Sequence, residues 1–349
     1  MEQKVVISYN LGNDILSAIE GCEHDKIFII TDTNTSEACL PVLAKVEELN
    51  DAINIIVKAT DCNKNLESLA EIWTLLCTKG ATRHSCVINL GGGMITDLGG
   101  FAASTFKRGV NFINIPTTLL AMVDASVGGK TGINFCGLKN EVGVFNNAKY
   151  VILCTEFLKT LDSENIRSGY AEMLKHGLLS NNTMWAELIN FDLDNPNLIQ
   201  LQKMVGDSVG VKADIVAKDP LEMNLRKALN LGHTIGHAFE SFAMKKGNPV
   251  LHGYAVAYGM ICELYLSVVK TGFPVDKMRQ TVSYIKEYFG KMIITCDDYD
   301  ELYELMKHDK KNTSDQINFT LLGEVGDIRI DNFIDKKDIY DSLDFYREC

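Results

Sequence analysis

Two histidines four positions apart, His233 and His237 in "LNLGHTIGHAFE" (229–240), are spaced to share one face of a helix, because each residue turns a helix by ~100°. The spacing matches half of a zinc-protease motif, but Thr234 stands where that motif needs its general-base glutamate. Other ionisable groups recur at helical offsets nearby. Glu172, Lys175 and His176 in "SGYAEMLKHG" lie at i, i+3 and i+4. Arg226 and Asn230 precede the histidine pair at steps that keep all four on one side, and His252 opens the pattern "LHGYAVAYGM". Burying such a face in an apolar core costs about 1–3 kcal/mol for each unpaired group, so a polar site is the better account. A carboxylate and two imidazoles drawn from three separate helices would make a three-ligand zinc centre with its fourth position open.

The first half of the chain carries a different chemistry. "KIFIIT" (26–31) runs into Asp32-Thr33-Asn34, "CVINL" (86–90) into Gly91-Gly92-Gly93, and "FINI" (112–115) into Pro116-Thr117-Thr118. Ligands of open α/β sheets sit beyond the carboxyl ends of the strands, where glycine backbone lets a pyrophosphate approach a helix start. A dinucleotide suits this arrangement, although the G-x-G-x-x-G spacing is absent. Asp32 fits either a nucleotide hydroxyl or a helix N-cap. "DASVGGKTGINFCGLKN" (124–140) fails the phosphate-loop test because Asp124, not glycine, stands five before Gly129. Its Lys130 and Lys139 still set two ammonium groups beside flexible glycine backbone, which suits a small anion.

The elements that must position these groups divide near residue 160. Before it, β-branched apolar runs, including "INIIV" (53–57) and "YVILC" (150–154), alternate with helical patterns such as "LESLAEIWTLLC". That predicts an α/β Rossmann-like dinucleotide-binding domain with a parallel sheet over 1–160. After it, helical periods dominate at roughly 165–179, 197–218, 226–244, 252–270, 276–288 and 298–308. They predict a mainly α-helical metal- and substrate-binding domain over 161–349, with "INFTLL" (317–322) as a short strand.

Bulk properties narrow the partners. The 349 residues are 46% hydrophobic, enough for two cores. "MEQKVVISYN" is unlike a signal peptide and no apolar run approaches a membrane span, so a soluble, cytoplasmic protein is expected. A net charge of −12 argues against binding nucleic acid. Ten cysteines without one C-x-x-C read as reduced, mostly buried thiols. Lysines and arginines clustered in so acidic a chain need an anionic ligand to explain them.

Six collinear segments, "GGGMITDLGGF" (91–101), "RGVNFINIPTTLLAMVDASVGGKTGIN" (108–134), "GLKNEVGVF" (137–145), "SGYAEMLKHG" (168–177), "LRKALNLGHTIGHAFE" (225–240) and "LHGYAVAYGM" (251–260), resemble the 3-dehydroquinate synthases over about residues 26–325. The resemblance implies a two-domain sugar-phosphate cyclase of the shikimate pathway, usually a homodimer, using NAD and zinc or cobalt. It implies Glu172, His233 and His252 as metal ligands and His237 as a substrate contact rather than a ligand. It further implies Lys130, Asn140, Lys175, Lys212, Arg226 and Asn230 at the substrate, with Lys310 or Lys311 of "HDKKN". Arg108 matches an arginine that the family lends to the partner subunit's phosphate site. Asp32, Asn34, Lys64, Gly92, Gly93, Asp97, Thr117, Thr118, Asp124, Lys139 and Thr160, with Lys130, fall where the family holds NAD. Asp61 stands where a longer glutamate commonly meets the ribose, Thr96 replaces a glycine, Leu231 replaces a phenylalanine, and "TLDSE" lacks a proline.

The implied substrate, 3-deoxy-D-arabino-heptulosonate 7-phosphate, must lose phosphate next to a carbon whose proton is not acidic. Transient oxidation of the adjacent alcohol acidifies that proton; elimination, return of the hydride and an internal aldol step then close the ring. Lysines and arginines for carboxylate and phosphate explain a basic pocket in an acidic chain. A related cyclase such as 2-deoxy-scyllo-inosose synthase would need no carboxylate contact. A metal-dependent polyol dehydrogenase would have little use for so many cations, and a ligand-binding scaffold would not need metal ligands.

Overall fold

A computed structural model of the chain describes residues 3–220, 223–307 and 316–349. By contacts the chain divides into two units, Met1–Asp162 with Asn197–Val209, and Ser163–Pro196 with Gly210–Cys349.

In the first unit, β1 (Lys4–Ile7) leads to α1 (Leu11–Glu20), and β2 (Ile27–Asp32) to α2 (Thr33–Ala38) and α3 (Leu40–Leu43). Then come β3 (Ile53–Val57), α4 (Leu66–Thr78), β4 (Cys86–Gly91), α5 (Gly93–Thr105) and β5 (Asn111–Pro116). A hairpin of β6 (Lys130–Phe135) and β7 (Leu138–Phe145) precedes β8 (Tyr150–Leu153). Six strands make one parallel sheet in the order β1-β8-β5-β4-β2-β3. Every residue of β2 and β4 is buried, as continuous apolar runs covered on both faces must be. Because the strands are parallel, the ends of β2, β4 and β5 at Asp32, Gly91 and Pro116 lie along one edge, with Gly91 in register with Pro116.

The glycine-rich segment read as a flexible loop is instead ordered in β6 and β7. Cys136 and Gly137 both have positive φ, +50° and +78°, and join paired Phe135 and Leu138. Such a two-residue turn matches the strands' twist. Glycines at 132 and 143 face each other across the pair and blank out the alternation that marks a strand.

The second unit holds α6 (Ser163–Ser180), α7 (Asn182–Ile189), the end of α8 (Leu198–Lys218), α9 (His233–Lys245), α10 (His252–Thr271), α11 (Val275–Phe289) and α12 (Tyr299–Lys307). An antiparallel pair, β9 (Ile317–Glu324) and β10 (Asp327–Ile334), and α13 (Lys336–Glu348) complete it. The single helix expected over 226–244 does not form. Leu225–Asn230 is a 3-10 turn, and Gly232 at φ +79° and ψ −8° separates it from α9. The left-handed conformation, natural to glycine, breaks the helix there. Arg226 and Asn230 therefore do not continue the face of His233 and His237.

The start of α8 belongs to the first unit. There Gln202, buried, donates from Nε2 to the Leu153 carbonyl (2.8 Å) and accepts from the Thr155 N–H (2.6 Å), closing the chain that leaves β8. Five of the ten cysteines are buried and all ten are free thiols, so "mostly buried" overstates it. No helix among the described residues is long and apolar enough to cross a membrane.

Candidate active site

Glu172 sits mid-way along α6, whose residues from Ser168 to Leu179 are all buried. His233 is the first residue of α9 and His252 the first of α10. Their donor atoms all lie within 4.8 Å of one another. Glu172 Oε1 is 3.4 Å from His233 Nε2 and 3.5 Å from His252 Nε2. The other carboxylate oxygen pairs with Lys175 one turn on, a lysine as buried as the glutamate.

The outer contacts of both rings fix which nitrogen faces inward. His233 Nδ1 is 3.1 Å from the Leu231 carbonyl, and His252 Nδ1 is 3.1 Å from Glu240 Oε2. With the proton at Nδ1 in each, both Nε2 lone pairs point at Oε1, an arrangement common to metal-bound imidazoles. Glu172 Oε1 is fully buried and accepts no hydrogen bond. An anionic oxygen stranded between two imidazole nitrogens fits a divalent cation, which would satisfy all three donors.

The electrostatics agree with that fit. Burial opposes ionisation of Glu172, yet Lys175 and His233 hold its carboxyl well below the usual range. Burial, aided by Lys175, pushes His233 down to about 4, so its ring is neutral and available as a ligand. Burial also disfavours charge on His252, but Glu172 and Glu240 outweigh it and push that imidazole up to about 10. A cation entering here must displace that proton.

His237 lies outside this donor set. It is exposed one turn along α9, its ring 5.3 Å from that of His233 and 5.9 Å from that of His252. Glu240 was not among the residues singled out from sequence. Its signal was present, because His233, His237 and Glu240 run i, i+4, i+7 along α9. Lys212 and Arg226 are buried, and Arg226 donates to the Pro220 carbonyl (2.7 Å). Asn230 ends the 3-10 turn and is half-buried. Lys310 and Lys311 lie outside the described residues.

In the first unit, Asp32, Gly92, Gly93, Thr117 and Thr118 of the expected nucleotide residues follow the carboxyl ends of the strands. Asp32 Oδ1 accepts from the N–H groups of Asn34 (2.8 Å) and Thr35 (2.9 Å), so it caps α2. Gly92 and Gly93 open α5 without a side-chain cap. A Cβ at Gly92 would stand 3.0 Å from the Thr118 methyl. That bare helix start beside Thr117 and Thr118 forms a cradle whose free N–H groups suit a pyrophosphate. Thr117 donates to the Gly91 carbonyl at 2.9 Å. Thr160 ends a 3-10 turn, its hydroxyl donating to the Phe157 carbonyl.

Beside the cradle, buried Lys64 reaches Asp97 Oδ2 (3.0 Å), Asn140 Oδ1 (2.6 Å) and Asp61 Oδ1 (3.3 Å). Burial pushes Asp97 up to about 6 against the pull of Lys64. Lys130 and Lys139 are exposed on the hairpin, and Asp124 lies in a wide π-helical turn at Ala121–Ala125. Arg108 is exposed in a turn where Lys107, Arg108 and Gly109 all have positive φ, at +48°, +69° and +110°. Left-handed conformations at two non-glycine residues cost roughly 1–2 kcal/mol each, a strain typical of functional turns.

Residues 54–168 match the 3-dehydroquinate synthase N-terminal family and residues 169–312 the C-terminal family. A 3-dehydroquinate synthase of Parabacteroides distasonis is 55% identical over 347 residues, covering 99% of this chain and 98% of that protein. Among solved structures, 2-deoxy-scyllo-inosose synthase complexed with carbaglucose-6-phosphate, NAD+ and Co2+ superposes with a TM-score of 0.85. It is 22% identical and covers 99% of this chain and 96% of its own. The 2-epi-5-epi-valiolone synthase of Streptomyces hygroscopicus, with NAD+ and Zn2+ bound, gives 0.84 at 23% identity, covering 100% and 97%.

Proposed function

The chain belongs to the 3-dehydroquinate synthase family, and from that membership we infer that it converts 3-deoxy-D-arabino-heptulosonate 7-phosphate to 3-dehydroquinate and inorganic phosphate. The observation that carries this reading is the stranded Oε1 of Glu172 between two imidazole Nε2 atoms. A buried anionic oxygen that Lys175 leaves unpartnered is costly without a second cation and suits catalysis with one.

Glu172, His233 and His252 would hold zinc or cobalt, with Glu240 fixing the His252 tautomer. Asp32, Asn34, Asp61, Lys64, Gly92, Gly93, Asp97, Thr117, Thr118, Asp124, Lys139 and Thr160 would hold NAD. When bound, the nucleotide supplies reversible hydride transfer and the cation Lewis-acid polarisation of a substrate oxygen. Lys130, Asn140, Lys175, Lys212, Arg226 and Asn230 would bind and orient the substrate's carboxylate, hydroxyls and phosphate, with Lys310 or Lys311. Cationic and amide donors suit anionic groups because charge-assisted hydrogen bonds are about twice as strong as neutral ones. His237, exposed beside the ligand rings, would contact substrate and move a proton. The chain works as a homodimer in the cytoplasm, with Arg108 contributed to the neighbour's phosphate site.

Purified protein with divalent metal, catalytic NAD and the heptulosonate phosphate should release phosphate over many turnovers while NADH stays below the enzyme concentration. The hydride taken from the alcohol is returned after elimination, so NAD is regenerated in each cycle. Chelation should stop release, and zinc or cobalt should restore it. NADH rising in step with product would sink the cyclase reading in favour of a dehydrogenase. Turnover of a hexose phosphate instead, which lacks the carboxylate, would reassign the substrate.

Arg108→Ala should chiefly raise the apparent KM, because phosphate binding is similar in ground and transition states. Mixed with Glu172→Ala it should regain activity in hybrid dimers, which contain one site with both residues intact. Hybrids as inactive as either parent would remove the shared-site assignment.

A further inference from the structure

The two helices that begin with metal-ligand histidines lack caps of their own. At the start of α9, Gly232 has no side chain to offer, and at the start of α10, Leu251 caps nothing. Four N–H groups at each helix start need partners from elsewhere. For α9 two of them come from Glu263 on α10, whose carboxylate is fully buried. Its Oε2 accepts from the Gly232 N–H (2.6 Å) and its Oε1 from the Ile235 N–H (3.2 Å), straddling His233. For α10 one comes from Ser168 on α6, whose Oγ accepts from the Gly253 N–H (3.1 Å), next to His252. The helix bearing Glu172 thus caps the helix bearing His252, which in turn caps the helix bearing His233.

We propose that Glu263, with Ser168 as its weaker counterpart, is a positioning residue for the metal triad, because its carboxylate holds the first turn of α9 and so sets where His233 Nε2 points. This rests on the metal reading above. A carboxylate suits the task better than an amide. Both its oxygens accept, matching two N–H donors, and its charge complements the positive end of the helix dipole. Glutamine keeps the size but must turn its own NH2 toward one of the two donors. Ligand geometry depends on such outer contacts, and their loss typically costs about 10–100-fold in metal affinity.

The test uses the full chain, stripped by chelator and titrated with cobalt(II) against a competing chelator, with the visible d–d spectrum recorded. Glu263→Gln should raise the cobalt Kd by about 10–100-fold and shift the band. The control Val282→Ala, a buried position on α11 away from the ligands, should lower the melting temperature and leave both unchanged. Wild-type Kd and spectrum in Glu263→Gln, or an equal rise in Val282→Ala, overturn the proposal, since Glu263 would then act only through packing. If Glu263→Gln does not fold, Ser168→Ala decides: a several-fold rise in Kd supports the capping arrangement and an unchanged Kd and band refute it. Failure of the wild-type chain to bind cobalt would instead remove the metal reading, and this inference with it.

Discussion

His233→Ala protein should carry no zinc or cobalt after purification and should turn over substrate only at background, whereas His237→Ala protein should keep its metal. The difference follows from which nitrogen meets Glu172 Oε1. His233 Nε2 is one of three donors that converge there, and His237, one turn later, is not. Loss of a direct ligand should exceed the ~10–100-fold that removing an outer-shell partner costs. Loss of a proton-carrying group should slow turnover by roughly 10²–10⁴-fold with metal still bound. Elemental analysis of the two variants is the measurement. Equal metal loss in both would mean that His237 is also a ligand, and the division of roles would be wrong.

Gly253→Ala should be the most damaging single-methyl change in the second unit. Alanine favours a helix interior over glycine by about 1 kcal/mol, so propensity alone would make the change stabilising. Sterics win here, because a Cβ at 253 would stand 1.8 Å from the Ser168 carbonyl oxygen and 2.5 Å from its carbon. These are backbone atoms of α6 and cannot rotate away. Separating α10 from α6 should cost about 3 kcal/mol or more, the upper end for overpacking. It should also weaken metal binding, because His252 is the adjacent residue. Gly210→Ala on α8 is the contrast: a Cβ there meets nothing within 4 Å, and the change should stabilise by about 0.5–1 kcal/mol. Thermal melting and cobalt titration report both. A Gly253→Ala protein that melts with the wild type would show that the two helices are less closely held than their backbones indicate.

The parallel sheet was legible because its strands are local runs of β-branched residues ended by turn residues. Asp32, Gly92 and Thr117 could therefore be read as edge positions before any coordinates. The metal set was legible in part. Spacing and residue type pointed to a carboxylate and imidazoles on separate helices, but the choice of His233 over His237 came from the resemblance, since both share one face of α9. The break at Gly232 was hidden because its cap, Glu263, lies on a different helix, and local sequence carries no trace of such a contact. The hairpin of β6 and β7 escaped because glycine and lysine fill the positions where alternation would show. Short α7, of eight residues, offered too few turns of clear period.

The helix α8 gives the first unit an unusual relation to the order of synthesis. Gln202, which ties off the chain leaving β8 through Leu153 and Thr155, is encoded after α6 and α7. A nascent chain that has emerged only as far as Asp162 holds all six strands of the sheet yet lacks the side chain that secures the last of them. The first unit therefore cannot finish folding on the ribosome when its last strand emerges, as an ordinary amino-terminal domain can, but only once the chain through Val209 has been made. It waits until part of the second unit has been made, and a truncation at the apparent boundary would leave the first unit incomplete.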